Sequence, residues 1–231
     1  MNAVVDQESP EQIAHDVAAV GRIAAVSSIL DVICNNTGMR FSAVARVTDH
    51  SWTACAVKDD LALGLLPGGQ LELQTTLCME SRLAREPIVI DHVSTDPHYA
   101  SHHTPRIYHL QSYISVPIVL PDGEYFGNLC ALDSVPHTVS TSSTVSMFKA
   151  FAELIALHLH NERLRENELR RSAARLAQEQ QTSALREQFI AVLGHDLRGP
   201  LSAQSVSKRT TARDEKILIR RKSRRRSYRG A

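Results

Sequence analysis

Cysteine is scarce and scattered. Cys34, Cys55, Cys78 and Cys130 are the only four in 231 residues, and no two fall in a C-x-x-C spacing, so neither a disulfide framework nor a zinc site is indicated. They lie mostly within apolar runs and read as the buried thiols of a cytosolic protein. Long hydrophobic runs are missing as well: none approaches the roughly 18 residues that span a bilayer. The N-terminus carries Asp6, Glu8 and Glu11 and lacks the basic n-region of a secretory signal. A soluble, cytoplasmic chain with no membrane partner is expected. Aromatic residues are only 5% of the total. Glycine is absent between Gly199 and Gly230, which leaves that stretch without a glycine-rich nucleotide lid.

What is present suffices for one good-sized domain with extensions, because 43% of the residues are hydrophobic. The formal net charge of +1 conceals an asymmetry. From Lys208 onward there are 11 basic and 2 acidic residues, whereas residues 1–207 hold 15 basic and 23 acidic ones, a net of −8. The run Arg220-Arg221-Lys222-Ser223-Arg224-Arg225-Arg226 could neutralise several phosphates. Tyr228 is its one aromatic for base stacking, so no nucleic-acid partner is expected and the tail reads as disordered.

Ser9-Pro10-Glu11-Gln12 is a helix start, with a capping serine, a proline at the first helical position and a glutamine placed for a capping box. Apolar residues from Ile13 to Ile33 keep a three-or-four spacing as far as Gly38, predicting one helix of about 25 residues. From Arg40 the period becomes two. Phe41, Ala43, Ala45 and Val47 alternate with Ser42 and Arg46, and Asp49-His50-Ser51 turns the chain into Trp52, Ala54 and Ala56, a hairpin. A short amphipathic helix is predicted over 71–83 and a brief strand at Ile88-Val89-Ile90. The stretch 91–109 reads as a loop with a helical turn near Pro105. Two strands, 113–120 and 125–132, are joined by Pro121-Asp122-Gly123. After a Ser/Thr-rich link the helical period returns, with Phe148, Phe151, Leu154, Leu157 and Leu164 followed by Leu169, Leu176, Leu185, Phe189 and Val192 between charged residues. Their seven-residue pairs are not in one register, which predicts a coiled coil with stutters. The order is α+β with an antiparallel sheet.

The stretch F-I-A-V-L-G-H-D-L-R-G-P-L, Phe189 to Leu201, places Phe189, Val192, Leu193 and Leu197 on one helical stripe and projects His195 off it. An imidazole beside the Asp196 carboxylate, with Arg198 three residues on, suits taking and holding a phosphoryl group. Pro200 predicts a kink just beyond. The whole pattern resembles the phosphoacceptor box of two-component sensor histidine kinases. That resemblance implies that His195 is the phosphorylated histidine and that Asp196 assists transfer. Gly199 replaces the commoner Asn or Thr, tied in the family to dephosphorylating the partner, so the resemblance does not extend to phosphatase activity.

Upstream, Ser112-Tyr113-Ile114-Ser115-Val116-Pro117-Ile118 and Phe126-Gly127-Asn128-Leu129-Cys130-Ala131-Leu132-Asp133 resemble the closing strands of a GAF domain, over roughly residues 10–158. The implied organisation is a GAF sensor over 10–158, a coiled-coil signalling helix over 159–184, a partial phosphoacceptor and dimerisation domain over 185–205, and the basic tail over 206–231. The histidine-kinase likeness stops after Ala203, so a kinase truncated before its ATP-binding domain is expected, through an interrupted or mis-framed gene end. ATP and Mg belong to that missing domain, and no cofactor is expected in this chain. The resemblance implies a homodimer, a response regulator as partner and a small molecule in the GAF pocket. Bilin-binding relatives attach their chromophore by a cysteine in the region of His98 to His109, and there is no cysteine from residue 79 to 129, so no covalent bilin is expected. His98, His102, His103 and His109 lack a regular ligand spacing and read as solvated side chains, with no metal site. The rival readings are a non-enzymatic GAF regulatory or dimerisation module and a nucleic-acid-binding adaptor using the tail.

Overall fold

The computed structural model describes the backbone of residues 9–226 and the side chains of residues 9–190. It divides into two units, residues 1–166 and 167–231.

In the first unit the predicted N-terminal helix is two: α1 (Pro10–Arg22) and α2 (Ala25–Thr37), bent by 75° at the break. Ser9 caps α1 as its sequence suggests, accepting from the Gln12 N–H at 3.2 Å. Ile23 is extended and its N–H returns to the Val20 carbonyl. A straight helix of 25 residues would run about 37 Å, past an eight-residue strand of about 27 Å; the bend lets Val20, Ile23, Val26, Ile29, Leu30 and Ile33 all reach one core. Gly38 ends α2 at φ +74°, a conformation that favours glycine.

Strands β1 (Phe41–Val47), β2 (Trp52–Asp59), β3 (Gln70–Leu71), β4 (Ile88–Ile90), β5 (Ser112–Val119) and β6 (Tyr125–Asp133) form one antiparallel sheet in the order β3-β2-β1-β6-β5-β4. β1 and β6 are central, and they approach so closely that a Cβ on Gly127 would lie 1.9 Å from the Ala45 carbonyl oxygen. The predicted helix over 71–83 is instead β3, a 3-10 turn (Leu73–Thr75) and α3 (Cys78–Ala84). The hydroxyls of Thr75 and Thr76 donate to the Glu72 and Leu73 carbonyls and tighten that turn. α4 (His103–Tyr108) is the expected turn near Pro105.

Both faces of the sheet are covered, so all seven residues of β1 are buried, including Ser42 and Arg46. On one face α1, α2 and the start of α5 (Ser142–Arg226) pack Phe148, Ala152, Ile155 and Leu159 against Val44, Leu129, Ala131, Ile114 and Val116. On the other, α3, α4 and their loops cover Phe41, Ala43, Tyr113 and Cys130. Two ion pairs lock the layers. Arg46 Nε donates to Asp16 at 2.9 Å and its Nη1 to the Phe126 carbonyl at 2.6 Å, all buried. Arg40 holds the buried Asp133 carboxylate through Nε at 3.0 Å, Nη2 at 2.6 Å and its backbone N–H at 2.9 Å.

α5 begins after Thr141, whose hydroxyl accepts from the Thr144 N–H at 3.2 Å. Within the first unit it is clamped to α1: Glu166 receives Arg22 and His15, each at 3.0 Å. In the second unit the helical backbone continues through 206–226, the stretch expected to be a disordered tail; no glycine or proline interrupts it between Pro200 and Gly230, and Lys and Arg are good helix formers. Among the described residues no single helix is long and apolar enough to cross a membrane.

Candidate functional site

Beneath α3 and α4 the loop-covered face leaves a cavity of about 140 Å³. Its walls are almost wholly apolar: Phe41, Trp52, Leu65, Leu77, Leu110 and Leu132 are among them, and Leu63, 45% exposed, stands at its edge. The volume is close to the ~150 Å³ of a dry cavity that takes up benzene and well under the ~300 Å³ at which drug-sized pockets begin. The space is that of one ring or a short chain.

Polar groups enter the cavity wall at few places. Thr104 is 3% exposed and its hydroxyl oxygen has no hydrogen-bond partner among the described residues. The Cys78 sulfur accepts from Trp52 Nε1–H at 3.2 Å and pairs with the Tyr113 hydroxyl at 3.3 Å. Behind it Tyr125 donates to Asn128, and Asn128 Nδ2 donates to the Ser115 hydroxyl at 2.5 Å. Cys130, on β6 and lining the same cavity, donates its S–H to the Ala43 carbonyl at 3.7 Å. The neighbouring Cys130 first, then Tyr113, Trp52 and Ser115, outweigh burial and hold Cys78 below the ordinary thiol range. The neighbouring Cys78 and burial push Cys130 up. Burial also raises Tyr113, which therefore remains a donor.

All four cysteines are free and buried, as their apolar surroundings in the sequence suggested. Only Cys78 and Cys130 share a cavity. Cys34 donates to the Ser42 hydroxyl at 3.3 Å, and burial pushes Cys55 up to about 12. Two of the loop histidines, expected to be solvated, hold structure, while His98 and His109 are exposed. His102 caps α4 and lies 3.1 Å from Glu80, and His103 contacts the Gln74 carbonyl at 2.7 Å. Among the described residues no three His, Cys, Asp or Glu groups converge as a metal site. Asp133, last residue of the strand motif, is a structural anchor. Burial raises its carboxyl, but the hydrogen bonds from Arg40 outweigh that and bring it to about 2.

A model of the GAF domain matches residues 22–159. The chain belongs to the GAF domain family. Similar solved structures include the blue-light absorbing form of the PixJ GAF domain of Thermosynechococcus elongatus, at 15% identity and a TM-score of 0.52, covering 72% of this chain and 95% of that one. The GAF domain of the Acinetobacter phosphoenolpyruvate-protein phosphotransferase is similar at 10% identity and a TM-score of 0.50, covering 68% of this chain and 96% of that one. At such identities the likeness is one of fold. A search of curated proteins gives no match. His195, Asp196, Arg198 and Pro200 belong to α5, beyond the GAF domain, and their side chains lie outside the described residues. The thiols and Thr104 that line the GAF cavity were invisible to motif reading; the one signal was an unpatterned set of cysteines in apolar runs.

Proposed function

We propose that this chain is the sensing and phosphoacceptor portion of a two-component sensor histidine kinase working in the cytoplasm. The observation that carries the reading is the continuity of α5. One helix bears Phe148 to Leu159, which pack on the GAF sheet, and the box from Phe189 to Leu201 with His195 and Asp196. Alternation along the central strand supports a link between input and output: on β6 Cys130 belongs to the cavity side, while Leu129 and Ala131 touch the helix side. A small ligand in the cavity that favours one of two packings of α5 would change how His195 is presented. Exposed Leu157, Leu164, Leu169, Leu176, Leu185 and Phe189 support a parallel homodimer through this helix. A response regulator would take the phosphoryl group from His195, with Asp196 holding the imidazole tautomer.

The experiment is phosphorylation in trans by a compatible histidine-kinase catalytic domain with Mg·ATP. Acid-labile, base-stable label should appear on the wild-type chain and be absent from His195→Gln. Absence of label on both, or label that survives His195→Gln, would overturn the assignment and leave a GAF regulatory module.

A further inference from the structure

The GAF cavity is lined by two sulfurs with unlike hydrogen bonds, one accepting from an indole N–H and one donating to a carbonyl, and this sets its chemistry apart from that of an inert apolar pocket. Trp52 Nε1–H donates to the Cys78 sulfur at 3.2 Å, and the Tyr113 hydroxyl pairs with it at 3.3 Å. A thiolate is the nucleophilic form of cysteine, and converging donors favour it. Cys130 lines the same cavity and directs its S–H to the Ala43 carbonyl at 3.7 Å. The unpartnered Thr104 hydroxyl supplies a polar contact in the same otherwise apolar space, which admits a molecule of a few heavy atoms past Leu63.

We infer that Cys78 and Cys130 form a reversible redox site for small hydroperoxides, with Cys78 as the attacking sulfur, Cys130 as the resolving thiol and Thr104 as a hydrogen-bonding contact for the peroxide. In the first step the Cys78 sulfur attacks the nearer peroxide oxygen and the O–O bond breaks. This yields Cys78–SOH and a hydroxide or alkoxide, which takes up the proton that Cys78 had released. In the second step the Cys130 sulfur attacks the sulfenic sulfur, forming the S–S bond and expelling the hydroxyl with the Cys130 proton as water. Two thiols are oxidised, and hydrogen peroxide is reduced to two waters. The inference stands on the cavity's own groups and is independent of any role for His195.

Cys34 and Cys55 are internal controls, because burial raises both and neither shares this cavity. The reduced full-length chain is treated with an equimolar amount of hydrogen peroxide, alkylated after denaturation, and mapped by peptide mass. The expected result is a crosslink between the Cys78 and Cys130 peptides, a fall from four alkylatable thiols to two, and recovery with dithiothreitol. Cys78 should react at least about tenfold faster than Cys34 or Cys55. Cys130→Ser should stop at a sulfenic acid on Cys78 that dimedone traps, and Cys78→Ser should protect Cys130. Four surviving thiols, a crosslink through Cys34 or Cys55, or irreversible oxidation of Cys78 without a crosslink would overturn the proposal. The wild-type map decides it even if a variant fails to fold.

Discussion

The two faces of one sheet have been finished differently. Toward α1, α2 and α5 the side chains interlock: Val20, Ile33, Val44, Ile114, Leu129, Phe148 and Ile155 have no measurable exposure, and the charged groups admitted there, Asp16 and Arg46, answer each other. Toward α3 and α4 the same strands meet short helices and a 3-10 turn, which cannot close the surface, and a cavity remains with a thiol pair and an unpartnered hydroxyl on its wall. Long helices lay continuous apolar stripes on a sheet, whereas seven- and six-residue helices leave gaps between loops. The face under the long helices is packed, and the face under the short ones is not.

The most direct way to break this comparison is to delete the same atoms on each side. Leu129→Ala, on the packed face, should cost about 4 kcal/mol, and Leu110→Ala, at the cavity, about 2 kcal/mol, since a side chain bordering empty space has fewer contacts to lose. Urea denaturation of both variants measures it; equal losses would mean that the cavity collapses onto Leu110.

A smaller effect sharpens the same contrast from the ligand side. A one-ring probe such as phenol, at about ten times its Kd, should stabilise the protein by about 1.4 kcal/mol. Leu110→Phe, which fills the space, should abolish the shift, while Leu129→Ala should leave it. Thermal denaturation with and without phenol reads this, and a tetrapyrrole should give no shift because the cavity is too small.

The smallest effect tests what the faces share. Asp133 ends β6 and ties it to Arg40 at the start of β1. Its folded-state pKa of about 2 lies below the ordinary 3.8, so its stabilisation is complete above pH 4 and is lost as the pH falls through 2. The contribution should be about 1 kcal/mol, discounted because half-exposed Arg40 is screened by solvent. Urea midpoints measured from pH 5 to 2 should fall more steeply for the wild type than for Asp133→Asn, with the Leu129 and Leu110 difference unchanged.

Much was legible where information is local. Period-two alternation with Asp49-His50-Ser51 and Pro121-Asp122-Gly123 at the turns marked both hairpins, because side-chain direction in a strand is set by neighbours in sequence. The strand motif ending at Asp133 and the box at His195 marked the family resemblances in the same local way. The break at Ile23 was not legible, since the apolar spacing runs through it and only the length of the strands beneath makes a straight helix too long. Nor was the division of Leu71 to Leu83, where pairing of Gln70 and Leu71 with β2 overrides a helical period.

By itself, then, the sequence determined the order of helices and strands, the absence of paired-cysteine and bilayer-spanning patterns, and the position of the histidine box. Each follows from residues within a few places of one another. Tertiary structure alone decided that Asp16 neutralises Arg46 and that Thr104 faces no partner. It also decided that Cys78 and Cys130, carried by α3 and β6, meet in one cavity. Those facts depend on which distant segments the sheet brings together, and no local periodicity encodes them.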